Sequence, residues 1–404
     1  MTAVVRQTLF TRWFALVFLA ALASELSNSL LVHFPGFLLD LGATELRIGM
    51  IVGVAGVAAI AVRPSIGRVM DLHSRRLLIR IGSLVLATAT FAYAFADHLG
   101  PLVIGARLLQ GLGQAMTMTA FWTYIADRFP HEKRTQGIAL FGISGLAPIG
   151  IAPALGDFIL GTSWGYRGVF LVATGFSLVS FALSIFLERS GVNTGATTTG
   201  FAAVLRSATL RPVWLVTAFL SLGFTTAFVF VKTYVTTSGI GSVGPFFAAY
   251  AITAVSWRLS FGWVPDRVGP TRMVGPGLTL YAVGIGTLGL VPGSAGLIIG
   301  GAFAGLGHGI SYPVVLAIAT MRAGEGDRGT ATAIFTAVFD LALFVASPLI
   351  GWVIEVFGYQ SMFQGVAATV LIGMMLYYLH ERRDPSSPRP MVTTEPATAP
   401  VPHV

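Results

Sequence analysis

A chain built from one apolar run of about twenty residues after another has few folds open to it. A hydrocarbon core about 30 Å thick is crossed by ~20 helical residues. Runs of that length fall near 12–34, 46–66, 77–96, 101–125, 136–160, 166–187, 212–235, 244–264, 271–291, 295–320, 328–354 and 360–380. Lipid offers the backbone no hydrogen bonds, so a spanning segment is a helix or part of a closed barrel, and the ten-residue alternation of barrel strands is absent here. Composition agrees, with 54% hydrophobic and 10% charged residues against about a quarter charged in soluble domains. The expected fold class is an all-α membrane protein with twelve transmembrane helices. The first run ends in Glu25, Asn28 and His33 with no small-residue cleavage site, so it reads as a retained helix. Without cysteine the chain has no disulfides and no thiolate chemistry.

The twelve runs divide in two. Arg63, Gly67 and Asp71 recur as Arg258, Gly262 and Asp266, each 195 residues later, and Pro153 and Gly156 recur as Pro348 and Gly351 at the same offset. GLGQ from Gly111 is echoed by GLGH from Gly305, and GYRGVF from Gly165 by GYQSMF from Gly358. Two parallel repeats of about half the chain predict two pseudo-symmetric six-helix bundles, 1–187 and 212–380. Between them, 188–211 reads as a cytoplasmic linker, a polar Gly- and Thr-rich stretch followed by a short amphipathic piece suited to a membrane surface. The tail, 381–404, is rich in Pro, Ser and Thr and is expected to be disordered.

Lys and Arg accumulate in cytoplasmic loops. With the N-terminus inside, all of the 25 except Arg47, Arg107, Arg167 and Lys232 fall in cytoplasmic segments, which predicts a multi-pass protein of the cytoplasmic (inner) membrane with both termini cytoplasmic. Topology accounts for the +8 net charge, so no nucleic-acid partner is implied. The sequence has no phosphate-cradling Walker loop, no metal-ligand spacing and no nucleophile elbow, which argues against an enzyme. The expected partners are the bilayer and a small-molecule substrate, the expected state a monomer, and the expected driver a proton gradient with no cofactor.

The repeated segments GRVMDLHSRR and GWVPDRVGPTR resemble the loop motif of the major facilitator superfamily: Gly, three residues, Asp, a basic residue, any residue, Gly, two basic residues. The first copy keeps Asp71, Arg75 and Arg76 but has Leu72 and Ser74 in place of the basic residue and second Gly. The second keeps Asp266, Arg267 and Gly269 but has Pro270 and Thr271 where basic residues are usual. RLLQGLGQ, with Arg107, Gln110, Gly111 and Gly113, resembles the family's fourth-helix motif. GISGLAPIGIAPALGD resembles its antiporter motif, with Ala152 and Asp157 replacing two glycines. The resemblance covers the chain up to the tail, is closest to the drug:proton antiporter branch, and implies alternating access. It also implies a gate on the cytoplasmic side: Gly67 and Gly262 allow close approach, Asp71 caps the start of the eleventh helix near Arg328, and Asp266, beside Arg267, caps the start of the fifth near Arg134. A carboxylate at a helix N-terminus stabilises by ~0.3–1 kcal/mol when exposed and up to ~2 when partly buried. On the alternative reading these basic turns only set topology.

Ionisable groups inside the spans cost at least ~2.5–3.5 kcal/mol each at the helix centre unless paired or wet. At ~1.5 Å per residue, Glu25 lies about 10 Å from the outer face and Arg107 about 9 Å, so a Glu25–Arg107 pair is expected, serving as a proton-coupling element or as a structural ion pair. Asp340 and His308 fall near the midplane by the same rise. Asp340 is the second proton-coupling candidate, or else a helix contact satisfied by Thr or Ser hydroxyls. Candidate substrate contacts are Asn28, Gln110, Gln114 and His308, with Phe121, Trp122, Trp257 and Tyr312 as an aromatic wall or as packing. Lys232 and His33 lie near the outer helix ends, where snorkelling is the default. Together these features point to a proton-coupled secondary transporter that exports an amphiphilic small molecule. Import of a polar solute, by proton symport or facilitated, and lipid or glycolipid flipping are the alternatives.

Overall fold

The structure, a computed structural model, describes residues 11–72, 74–128, 140–188, 200–323 and 327–383. Among these the regular elements are all helical. The membrane-crossing helices begin with α1 Arg12–Asp40, α2 Glu45–Leu72, α3 Arg75–Tyr93, α4 Pro101–Arg128, α5 Ile143–Leu160 and α6 Gly165–Ile185. They continue with α7 Arg211–Thr237, α8 Gly244–Phe261, α9 Pro270–Leu290 and α10 Gly293–Ala323. The last helical stretch, Arg328–Arg383, holds two helices. Gly358 within it has φ 77° and ψ 169°, a conformation that a Cβ would forbid, and this divides α11 (328–357) from α12 (359–383). The fold is therefore twelve helices in two six-helix bundles, as the sequence predicts.

Two helices depart from α geometry. α1 tightens into a 3₁₀ turn at Leu31–His33, just ahead of Pro35, whose missing N–H leaves a gap in the hydrogen-bond ladder. α7 widens into a π turn at Thr226–Phe230. Helix ends also differ from expectation. α2 runs on to Leu72, so the first copy of the repeated motif forms its last turns. The second copy leaves α8 at Phe261 and forms a separate short helix, Val264–Val268, between Pro265 and Gly269. Proline cannot continue the ladder, and Gly269 takes φ 96°. In the linker, Phe201–Arg206 is a short helix that buries Val204. The tail from 384, residues 189–199 and Arg134 lie outside the described residues.

Small residues set how the bundles meet. On α2, Gly49, Gly53 and Gly56 share one face, spaced by four and three residues. A Cβ on Gly53 would stand 3.0 Å from the Phe344 carbonyl oxygen of α11, and Cβ atoms on Gly49 and Gly56 would overlap the carbonyls of Ser347 and Asp340. The backbones of α2 and α11 are thus in direct contact over about two turns, joining the first bundle to the second. The pseudo-symmetric pair, α5 and α8, meets at Gly150, where a Cβ would lie 2.8 Å from the Ala251 Cβ. Five residues back along α5, Gly145 has open space where a Cβ would stand.

Candidate functional site in the centre of the bundles

On the face opposite the termini the two bundles are clasped by carboxylates. Asp157, at the end of α5, accepts hydrogen bonds from Ser242 Oγ at 2.6 Å and from the Gly244 backbone N–H at 2.7 Å, the first residue of α8. It also pairs with Lys232 Nζ of α7 at 3.3 Å, and its Oδ1 lies 3.8 Å from His33 Nδ1. Lys232 and His33 are buried. The His33 ring fits because Gly156 leaves room for it, and its Nε2 lies 3.0 Å from the Pro153 carbonyl oxygen. The other interface repeats the device: Glu355, near the end of α11, accepts from the Leu46 N–H at 2.9 Å at the start of α2. Tyr359 of α12 adds a hydroxyl donated to Glu45. A carboxylate facing a helix N-terminus meets its unpaired N–H groups and the positive end of its dipole. The capping gate expected at Asp71 and Asp266 is thus realised on the opposite face, by Asp157 and Glu355.

On the termini face the gating candidates make no such contact among the described residues. Asp266 is exposed on the short helix, and its expected mate Arg134 is not described. Beside it, Arg267 stacks over the Trp263 ring at 4.4 Å. Arg328 is exposed at the start of α11, and the side chains of Gly67 and Asp71 fall outside the described residues. Gly262 is exposed just past α8.

Between the faces lie the intramembrane charges. Arg63 of α2 donates through Nε to Asp340 Oδ2 of α11 at 2.8 Å, and its terminal nitrogen reaches the same oxygen. Arg63, not a Thr or Ser hydroxyl, satisfies Asp340. Among the described residues this is the one polar side-chain bridge between the bundles away from the clasped face. The Gly49–Gly53–Gly56 face continues seven residues on to Arg63, so the close backbone contact also delivers this pair.

The expected Glu25–Arg107 pair does not form. Arg107 is buried inside the first bundle, donating to the Val52 carbonyl at 3.2 Å and to Gln110 Oε1 at 2.5 Å, with its guanidinium 5.0 Å from the Phe34 ring centroid. Tyr93 OH donates to the same Gln110 oxygen at 3.0 Å. Arg107 and Gln110 stand three residues apart on one face of α4, and that face points at α2 and α3. Helical rise fixes depth, whereas rotation of about 100° per residue decides what a side chain faces. Gln110 is therefore an acceptor for Arg107 inside the bundle. Phe121 belongs to the core of the first bundle with Phe14 and Tyr124, and Trp122 lies edge-on to Phe141 at 5.2 Å with its outer side exposed. Asn28 and Gln114 are half-buried.

Glu25 has no hydrogen bond or ion pair among the described residues, and it acts electrostatically on the Tyr312 hydroxyl of α10. Arg63, Asp340 and Arg258 act on the same hydroxyl. Tyr312 is thus a hub where four charges from α1, α2, α8 and α11 converge. Aromatic rings surround it: His308 at 5.2 Å, Phe335 at 5.1 Å and Phe339 at 5.5 Å. Tyr250, Tyr281 and Phe224 enclose His308 in turn, and both His308 ring nitrogens are buried without a partner. Trp257, next to Arg258, stacks on Phe261 at 5.2 Å. A separate groove of about 710 Å³ lies along α2 and α4, lined by Ala58, Val62, Leu109 and Leu112 among others. It is almost wholly apolar and holds none of these charges, so the Tyr312 hub is the candidate site.

Comparison with known proteins follows the same lines. A family model described as Major Facilitator Superfamily matches residues 13–270 and 242–401. An uncharacterised MFS-type transporter of Burkholderia mallei is 26% identical over 364 residues, covering 86% of each chain. The staphylopine export protein of Staphylococcus aureus is 22% identical over 371 residues, covering 87% of this chain and 90% of that protein. Among solved structures, a bacterial homologue of the human lysosomal transporter Spinster superposes with a TM-score of 0.75 at 14% identity, covering 92% of this chain and 96% of that one.

Proposed function

The chain belongs to the major facilitator superfamily, and from that premise we propose that it is a proton-coupled exporter of an amphiphilic small molecule, working by alternating access in the manner of the drug:proton antiporters. The observation that carries the reading is Glu25. An ionised carboxylate within the membrane, with no partner, is expensive, so the site tolerates it protonated or with a cation against it, and exchange between the two is antiport. Asp340, already held by Arg63, is the secondary coupling group, and its pairing ties the coupling region to the α2–α11 interface. Export is supported by the likeness to the staphylopine export protein. The aromatic rings around Tyr312 and His308 supply the apolar wall. On the topology expected from Lys and Arg, the clasped face is the outer one, and the site opens toward the cytoplasm, where an exporter loads.

The test is proton movement in sealed proteoliposomes under an imposed substrate or pH gradient, screened over cationic dyes, sugars and lipid analogues. Wild type is expected to show substrate-dependent proton countermovement, and Glu25→Gln to lose it while still binding at saturating substrate. Transport without proton flux, or indifference to Glu25→Gln, overturns the antiport mechanism.

A further inference from the structure

The 195-residue offset gives Arg63 a twin, Arg258 on α8, and gives Asp340 a counterpart position on α5, residue 145. The twin lacks the mate. Where α11 carries Asp340, α5 carries Gly145, with open space at its Cβ position. Arg258 makes no hydrogen bond or ion pair among the described residues, and its Nε is buried without a partner. Of the four charges around Tyr312, Arg63 and Asp340 satisfy each other. What remains is one anion from the first bundle, Glu25, and one cation from the second, Arg258, both acting on the same hydroxyl. The other titratable side chains facing this space are His308, Tyr250 and Tyr312 itself. None of them can neutralise a guanidinium as a carboxylate would.

We propose that Arg258 and Glu25 are the two poles of a site for a zwitterionic substrate, its anionic group held by Arg258 against α8 and its cationic group by Glu25 against α1, with its apolar body on the Tyr312, Phe335 and Phe339 rings. A planar guanidinium with free donors is suited to a carboxylate or similar oxyanion. A substrate bridging the poles spans the two bundles, which is the contact an alternating-access carrier needs. It also sharpens the antiport reading on which it rests. The arriving cation takes the place of the Glu25 proton, which leaves to water, while the anionic end is neutralised by Arg258 and so does not draw that proton back. A substrate with only an anionic group would favour the protonated carboxyl and couple the other way.

The test is equilibrium binding to the purified full-length protein in nanodiscs, with no gradient, so its outcome is independent of transport direction and proton coupling. Three matched fluorescent probes serve: Nε-dansyl-lysine, with free α-ammonium and α-carboxylate; its methyl ester, cationic only; and its Nα-acetyl derivative, anionic only. Wild type is expected to bind the zwitterion about tenfold more tightly than either analogue, the scale of one charge-assisted hydrogen bond. Arg258→Gln should erase the preference over the methyl ester and leave methyl ester binding unchanged. Glu25→Gln should erase the preference over the Nα-acetyl derivative. Arg258→Lys, which keeps the charge, should retain most of the preference, separating loss of the cation from loss of the fold. A wild type that binds the methyl ester as tightly as the zwitterion, or binds none of the three, overturns the proposal. So does an Arg258→Gln protein that loses all three probes equally while Arg258→Lys behaves the same way. Any of these results leaves proton-coupled export standing, since that reading fails only on proton flux.

Discussion

Arg63 and Arg258 occupy the same place in the two repeats, yet one is locked and the other is free. Arg63 reaches across the interface between the bundles to Asp340, along helices whose backbones touch at Gly49, Gly53 and Gly56. Arg258 stands at the matching interface, where α5 offers Gly145 and empty space, and its Nε has no partner. The repeat fixes where an arginine sits, and the residue on the facing helix decides its role. A matched pair joins the halves structurally, whereas an unmatched cation is a receptor for something the chain does not supply. An interior cation without a mate costs stability, and the fold retains it at the point where the other uncompensated charge, Glu25, also converges.

The paired side can be broken. Asp340→Asn leaves Arg63 uncompensated, and because the pair's side chains are still 17% and 22% exposed, the loss should fall below that of a fully buried pair, at about 2–3 kcal/mol. Thermal unfolding of the purified protein without substrate checks this; an unchanged midpoint would mean that solvent, not Asp340, satisfies Arg63. The unpaired side can be repaired. Gly145→Asp places a carboxylate at the counterpart of Asp340, in space that accepts a side chain. It should be more stable than Gly145→Asn by about 1 kcal/mol, the Asn variant correcting for the loss of a helix glycine. The same substitution should remove the preference for a zwitterionic probe by occupying Arg258 from within. Equal stability of the Asp and Asn variants would place Arg258 out of reach of α5.

Much of this was legible in the sequence, for a physical reason. The spans are set by length and apolarity and the two bundles by repeated motifs, properties that local sequence carries whole. Depth was legible as well, since rise per residue is fixed, and Glu25, Asp340, His308 and Tyr312 all lie in the interior. Partners were not, because they depend on helix rotation and on which helices meet. Arg107 turned into its own bundle toward Gln110. Arg63, counted with the cytoplasmic arginines, is the mate of Asp340, and the signal was present: it lies seven residues beyond Gly56 on the face marked by Gly49, Gly53 and Gly56. His33 and Lys232, expected to snorkel, instead close on Asp157. That residue was read only as a departure from a motif, although a carboxylate in place of a helix-end glycine is itself a sign of a cap.

The contrast between the two arginines is tested most directly by unfolding Arg63→Gln and Arg258→Gln side by side, without substrate, in one detergent. Removing Arg63 strands Asp340 inside the protein, and removing Arg258 relieves an uncompensated charge. Arg63→Gln should therefore melt below wild type by the equivalent of about 2–3 kcal/mol, and Arg258→Gln at or above it. If the two variants fall together, or Arg258→Gln falls further, Arg258 has a structural mate and the difference between the two halves is not a division between lock and receptor.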